Sequence, residues 1–252
     1  MTMKGYHSWD SDELKEIMQK LYGSEYANES EVYIKSFWKK AFAAWLNRDE
    51  AIGLIDNLIP GTYSEVIEDD YIRALDYHFK AFNDKSISKE LNYNKDHIET
   101  HIIAYAHSLY SMSDVLGQII VSSYHLRNDI NAGEITLTKV AELLQSRPNS
   151  RKILRRINKL FNLHSFQYLK GFVNTHKHVY HIEIPYSFLC IVKGEETSHG
   201  MKINGFKRED KVFQEKWAKS FLKDDMIEIF NVYHGIGCQI NNDLSPRCAF
   251  LI

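Results

Sequence analysis

Between Asp96 and Leu126, the residues Ile98, Ile102, Tyr105, Leu109, Met112, Leu116, Ile119, Ser123 and Leu126 step alternately by four and three. That spacing brings side chains back to one side of an α-helix, so the segment predicts a single long helix carrying a heptad seam. At 1.5 Å per residue it would run about 45 Å, enough for the spine of a bundle or the face of a dimer. A more polar stripe lies beside it, through Ile103, His107, Tyr110, Asp114, Gln118, Val121 and His125, and asks for a second set of neighbours.

Only 4 Pro and 12 Gly interrupt 252 residues, too few for the frequent turns of a β-sandwich. Ser11, Asp12 and Glu13 read as a helix start, with Leu14, Ile17, Met18, Leu21 and Tyr22 following at helical spacing until Gly23. A second helix is expected from Val32, Phe37, Trp38, Ala41, Phe42 and Trp45. A short third one, from Ala51, Ile52, Ile55 and Leu58, would end at Pro60, and a fourth takes Val66, Ile67, Tyr71, Leu75, Phe79 and Phe82. After the long helix, a short one around Val140 to Leu144 precedes SRKILRRINKLF, capped by Ser150, and Ser165 caps FQYLKGFVNTHKHVYHI. In that last segment Leu169, Phe172, Val173, His176 and Val179 would face inward.

The period then becomes two. Ile182, Ile184, Tyr186, Phe188, Cys190 and Val192 alternate before KGEETSHG, which predicts a β-hairpin returning through Met201 to Phe206. A final helix from Gln214 carries Trp217, Phe221, Leu222, Met226, Ile229, Phe230 and Tyr233, and GIGCQINNDLSP loosens the end. No linker or repeat separates these parts. The expectation is a mainly α helical bundle with a long central helix and one small β-hairpin near residues 182–206. It forms a single domain over 1–252: N-terminal helices to 95, core helices 96–181, hairpin 182–213, and C-terminal helix and tail 214–252.

With 31 Lys plus Arg against 33 Asp plus Glu, the formal net charge is -2, so no whole-molecule field gathers nucleic acid and any such role needs a local patch. Cys190, Cys238 and Cys248 are an odd number in no CxxC spacing, which favours neither a disulfide framework nor a thiolate metal site and fits the reducing cytoplasm. The first residues turn acidic before any apolar run, and no stretch reaches the roughly 18 apolar residues of a bilayer span, so no export signal or membrane partner is expected.

Several constellations could carry chemistry. In HIETH, His97 and His101 share a helix face and could both reach one metal, as in a metal-dependent hydrolase. Glu99, two positions on, points about 200° round the helix from His97, so the general base of such a site is misplaced and no metal is assigned. His107 and Asp114 are two turns apart, roughly 10 Å, so they would meet an opposing helix rather than each other. His234 and Cys238 read as packing. Phosphate-loop, dinucleotide and nucleophile-elbow motifs are absent from the sequence, and no cofactor is expected.

Two features point to phosphate. SRKILRRINKLF sets Ile153, Ile157, Leu160 and Phe161 on one side and Arg151, Lys152, Arg155, Arg156 and Lys159 on the other, with no acid among them. In VNTHKHVYHI, Asn174, His178 and His181 fall at i, i+4 and i+7 beside Lys170 and Lys177. A histidine can exchange protons with a ribose hydroxyl or a leaving oxygen, an Asn amide can orient it, and Lys can stabilise a phosphorane, all without metal.

At VNTHKH the sequence resembles the HEPN superfamily, α-bundles found in toxins, phage-defence factors and RNA nucleases. The family motif is an Arg, commonly followed by a polar residue, with a His four to six positions after the Arg; Val173, Asn174 and His178 stand in those places, so the arginine is missing. The long helix with AHSLYSMSDVLGQII and the hairpin followed by a Trp-containing helix extend the resemblance over about 97–233, leaving the first 95 residues outside it. The resemblance implies a homodimer in which two motif helices meet in one RNA-binding, RNA-cleaving cleft. Taken with the charge pattern, it leads to His178, Asn174 and Lys177 as catalytic residues and Arg151, Arg155, Arg156, Lys159 and Lys170 as phosphate contacts. His107 and Asp114 form a second polar face. Loss of such a transition-state donor commonly costs about 10² to 10³ in rate, so another arginine substitutes or the protein binds without turnover, as an RNA, nucleotide or partner-protein module.

Overall fold

The computed structural model describes residues 9–59, 67–147, 150–189 and 198–248. The protein is mainly α, with a long central helix and a small antiparallel β region. None of its described helices is long and apolar enough to cross a membrane. The chain gathers into two compact units, Met1–Phe42 with Ser108–Leu169 and Asp225–Ile252, and Ala43–His107 with Lys170–Asp224. Helices α2 (Ser24–Asn57), α4 (Lys85–Ser123) and α7 (His164–His178) each contribute to both.

The heptad seam is real. All nine positions from Ile98 to Leu126 are buried to 0% exposure, so the stripe is filled by the chain itself and is not free to form a dimer face. The helix begins earlier than its apolar seam because Asp84 caps it: Ser86 donates from its backbone N–H (2.8 Å) and its hydroxyl (2.9 Å) to the Asp84 carboxylate, which holds that carboxyl below its usual range. It ends at Ser123, and His125 turns the chain with φ 56°.

In the first unit, α1 (Ser11–Tyr22) is capped by Asp10 rather than Ser11, through a 2.9 Å bond from the Glu13 N–H, and Gly23 ends it with φ +88°. Helix α9 (Met226–Cys248) packs on α1 and on α6 (Arg151–Asn162), and α5 (Leu137–Gln145) packs on α6. The Trp9 indole donates to Asn241 (3.1 Å), whose amide donates to the Asp10 carbonyl and the Glu13 carboxylate, both at 2.7 Å. Gly235 and Gly237 therefore do not loosen the end. They lie inside α9, and a Cβ on Gly237 would collide with the Trp9 ring. Ser150 occupies the N-cap of α6 without making a capping bond, and Ser165 lies buried inside α7, so neither acts as the predicted cap.

In the second unit, β1 (Tyr186–Leu189) pairs antiparallel with β2 (Ser198–Ile203), with Tyr186 opposite Met201. The strand starts later than expected: Ile182 and Ile184 are buried in extended chain before it, and Cys190 and Val192 lie outside the described residues. Two elements went unforeseen. Strands β3 (Phe206–Arg208) and β4 (Lys211–Phe213) form a second hairpin around Glu209 (φ 53°), and β5 (Lys216–Trp217), where a helix was expected, adds to β2. A short helix, α8 (Ala218–Ser220), then leads into a π turn, Phe221–Asp225, before α9. A π turn leaves carbonyls without their usual helical partners. Here Tyr105 OH donates to the Phe221 carbonyl (3.2 Å) and Arg48 to that of Leu222 (3.1 Å).

The expected break between the second and third helices is absent, since no Gly or Pro lies between Trp45 and Ala51 and the Asn47 amide folds back onto the Ala43 carbonyl at 2.8 Å. Within α2 the buried positions are Ala27, Ser30, Ile34, Phe37, Ala41, Ala44, Ala51 and Ile55, whereas Val32 and Phe42, expected inside, are exposed. In α3 (Ile67–Asn83), Ala74 and Ala81 are buried while Phe79 and Phe82 face out; Val66 and Pro60 fall outside the described residues. Truncating the α4 seam with Leu109→Ala should cost about 2 to 5 kcal/mol, whereas Phe42→Ala should stay within about 0.5 kcal/mol. Urea denaturation midpoints of the two variants will separate a filled seam from an open one.

Candidate anion-binding surfaces

Helix α6 buries Ile153, Ile157 and Leu160 and exposes Arg151, Lys152, Arg155, Arg156 and Lys159. None of the five forms an ion pair with a carboxylate among the described residues. Arg151 and Lys152 occupy the first turn, where the helix dipole disfavours positive charge. Arg151 with Arg155, and Arg155 with Lys159, are like-charged i, i+4 neighbours, each pair weakening the helix by a few tenths of a kcal/mol (~0.2 to 0.5). Helix stability does not account for this face.

The sequence-derived catalytic residues lie at the end of α7. Lys170, Lys177 and His178 are exposed and Asn174 is half-buried; none makes a side-chain hydrogen bond or ion pair among the described residues. The helix ends at His178, one turn sooner than expected, so His181 lies beyond it and does not share the Asn174 and His178 face; Val179, expected inside, is exposed. Val173, at the place of the motif arginine, is 1% exposed. Cations at a helix C-terminus are favoured by its dipole, so Lys177 and His178, like Lys159 in the last turn of α6, have a structural explanation that Arg151, Lys152, Arg155 and Arg156 lack. The α6 cations belong to the first unit, and Lys170 through His178 to the second.

The structure assembles a different imidazole cluster in the second unit. His176 Nε2 lies 3.2 Å from His181 Nδ1, and His181 Nε2 lies 2.6 Å from a Glu99 carboxylate oxygen, near enough to pair but poorly aligned as a hydrogen bond. The His107 ring stands 5.9 Å from that of His176, edge to face, and Phe172 stacks on His176. Burial lowers the pKa of both His107 and His176, reinforced at His107 by the charges of Lys177 and His176 and at His176 by that of His181. Burial raises that of Glu99, against the opposing pull of His181. Sequence reasoning had His107 on a polar face, but it placed His176 in the core and gave Glu99 no partner. The available signal was HKHVYH itself, three histidines around a helix end.

His107 belongs to the second unit and Asp114 to the first; Asp114 is half-buried. His97 and His101 have ring centroids 5.9 Å apart, and His101 Nδ1 is engaged by the Asn47 side chain at 2.9 Å. Among the described residues no group of three or more His, Cys, Asp or Glu is arranged to hold a metal. His234 packs edge to face on Trp38, and burial raises the Cys238 thiol pKa. An aromatic nest of Tyr71, His78, Tyr186, Phe188 and His199 also went unforeseen; in it Tyr186 OH lies 2.5 Å from His199 Nδ1 and the rings pack on one another. A cleft of about 460 Å³ in the first unit, bordered by Arg127, Asp129, Glu134, Lys139 and Glu142, mixes both signs of charge and contains none of the expected site residues.

Compared with known proteins, the chain matches no family model, no curated protein and no solved structure. Zinc added to chelator-treated protein should leave its thermal midpoint unchanged. A stoichiometric zinc-dependent rise that disappears in His97→Ala would restore the metal reading.

Proposed function

We propose that the protein binds phosphate-rich polyanions, with RNA as the ligand class, through the exposed cationic face of α6, and does not cleave them. The observation that carries this reading is the set of five α6 cations without carboxylate partners, placed partly against the helix dipole. From Arg151 to Lys159 the face runs about 12 Å, a length that can follow successive phosphates. Three of the five are arginines, whose planar guanidinium forks hydrogen-bond phosphate oxygens in pairs.

The second reading is metal-free cleavage by a HEPN-like homodimer, with His178 as general acid or base, Asn174 orienting it and Lys177 stabilising charge. Exposure of Lys177 and His178 supports it. Burial of Val173 favours binding without turnover, because an arginine at that position would enter packed interior rather than meet a phosphate. A homodimer would also need a surface other than the α4 seam. A cytoplasmic role in stress or phage defence follows from the family resemblance alone.

Fluorescence anisotropy with labelled single-stranded RNA tests the proposal. Arg155→Ala with Arg156→Ala should weaken binding and flatten the slope of log affinity against log salt by about 0.7 per lost phosphate contact. RNA incubated with the protein in EDTA should remain intact. Cleavage abolished by His178→Ala would shift the conclusion to the nuclease, and affinity untouched by the α6 substitutions would remove the proposed surface.

A further inference from the structure

We infer that the outward face of α3 is a self-association surface, on which a second copy of this chain docks antiparallel through Ile72, Leu75, Phe79 and Phe82. The surface lies wholly in the second unit, and its use does not depend on RNA binding.

Helix α3 is turned against the expectation from its sequence. Its small residues, Ala74 and Ala81, are buried, whereas Ile72, Phe79 and Phe82 are 62%, 66% and 89% exposed and Leu75 is half-buried. The four apolar residues fall within about 80° of one another around the helix, so they form one continuous stripe. Taking about 200 Å² for each Phe and somewhat less for Ile, the three open side chains leave about 400 Å² of hydrocarbon in water on one copy. Pairing two copies would hide about 800 Å², against about 1,200 to 2,000 Å² in a stable interface. The stripe thus supplies the apolar centre, and the polar residues beside it complete the rim. An interface at the lower end of that range gives a dimer of micromolar strength.

The spacing selects the occupant. Steps of three, four and three read the same in both directions, so a reversed copy sets Ile72 opposite Phe82 and Leu75 opposite Phe79, apolar against apolar at every level. Charge follows the same centre. Asp76 and Lys80 pair with each other within α3, and both are exposed beside the stripe. In the antiparallel register Asp76 lies within two residues, about 3 Å along the axis, of Lys80 on the second copy, and the two-fold repeats that contact in reverse. Exposed ion pairs add little affinity, but they fix register and orientation.

The alternatives fit less well. On the other flank of the stripe, Tyr71 and His78 pack on Phe188 and Tyr186 of β1. A parallel pairing sets unlike flanks together and would press Asp76 against that aromatic cover. A bilayer is a poorer match because the charges beside the stripe, Arg73, Asp76 and Lys80, mix both signs instead of forming a cationic border.

Sedimentation velocity of the full chain from about 1 to about 100 µM tests the surface, and a monomer–dimer equilibrium should fall inside that range. Phe79→Ser and Phe82→Ser should each raise the dissociation constant about tenfold or more. Their circular dichroism should not change, since both rings already lie in water. Asp76→Lys leaves only lysines about the two-fold and Lys80→Asp only aspartates, so each variant alone should associate more weakly than the unsubstituted protein. Mixed in equal amounts, they should form a mixed dimer in which every Lys faces an Asp, a recovery that altered folding could not produce. A monomer at about 100 µM in the unsubstituted protein, an affinity untouched by Phe79→Ser and Phe82→Ser, or no recovery on mixing would overturn the inference. So would a monomer that binds phosphatidylserine vesicles through Phe79 and Phe82, since the stripe would then face lipid.

Discussion

The polar contacts of α4 in the second unit are arranged around one apolar constraint, the complete burial of its seam. Eight positions on the helix, Ile98 to Ser123, spaced by four and three, cannot be hidden on one side of it without fixing its rotation about its own axis. Once that rotation is set, the remaining residues have no choice of direction. His101 meets Asn47 from α2, while Glu99 and His107 turn toward the end of α7 and the chain that follows it. The separation of Glu99 from the His97 and His101 pair, which weakens a metal-enzyme reading, is the same rotation that delivers Glu99 to His181.

The direction of helix dipoles separates the two cationic surfaces. Positive charge at the end of α7 stabilises that helix, so selection for stability alone could place Lys177 and His178 there. At the start of α6 the same charge is unfavourable, and the repeated like-charge neighbours add to the cost. Under the proposed function, an outside anion offsets the cost of this arrangement, which no carboxylate among the described residues offsets. Phosphate is the ligand class that such closely spaced guanidinium and ammonium groups match.

How much of this the sequence revealed depended on residue size. The α4 seam is legible because large apolar residues occupy nearly every step, and α6 because charge and hydrocarbon divide cleanly between its faces. The α2 stripe has the same alternating spacing, but Ala27, Ser30, Ala41, Ala44 and Ala51 supply most of it, and the conspicuous Phe42 and Val32 point elsewhere. Small side chains mark close packing without announcing it. The glycines of α9 misled for a related reason: Gly237 reads as a helix breaker, yet the missing Cβ is a notch for Trp9, whose partner lies far along the chain. At the candidate site, the composition of the α7 end was legible, but the point where the helix stops was not. That single turn decides which histidine faces which.

The consequence reaches the chemistry. A helix continued to Ile182 would have put Asn174, His178 and His181 on one wet face and made a proton-transfer site of them. Ending the helix at His178 sends His181 back toward His176 and Glu99, and leaves His178 exposed without an orienting partner among the described residues. An imidazole gains catalytic power when a neighbour fixes its tautomer and direction. In this protein that ordering is given to His176 and His181, whose approach ties one segment of chain to another, and not to the histidine in the motif position. The buried Val173 beside them completes the pattern, because the position that would supply a phosphate donor supplies hydrocarbon to the core. The end of α7 is thus built to hold itself in place, whereas α6 carries five exposed cations without a carboxylate partner among the described residues.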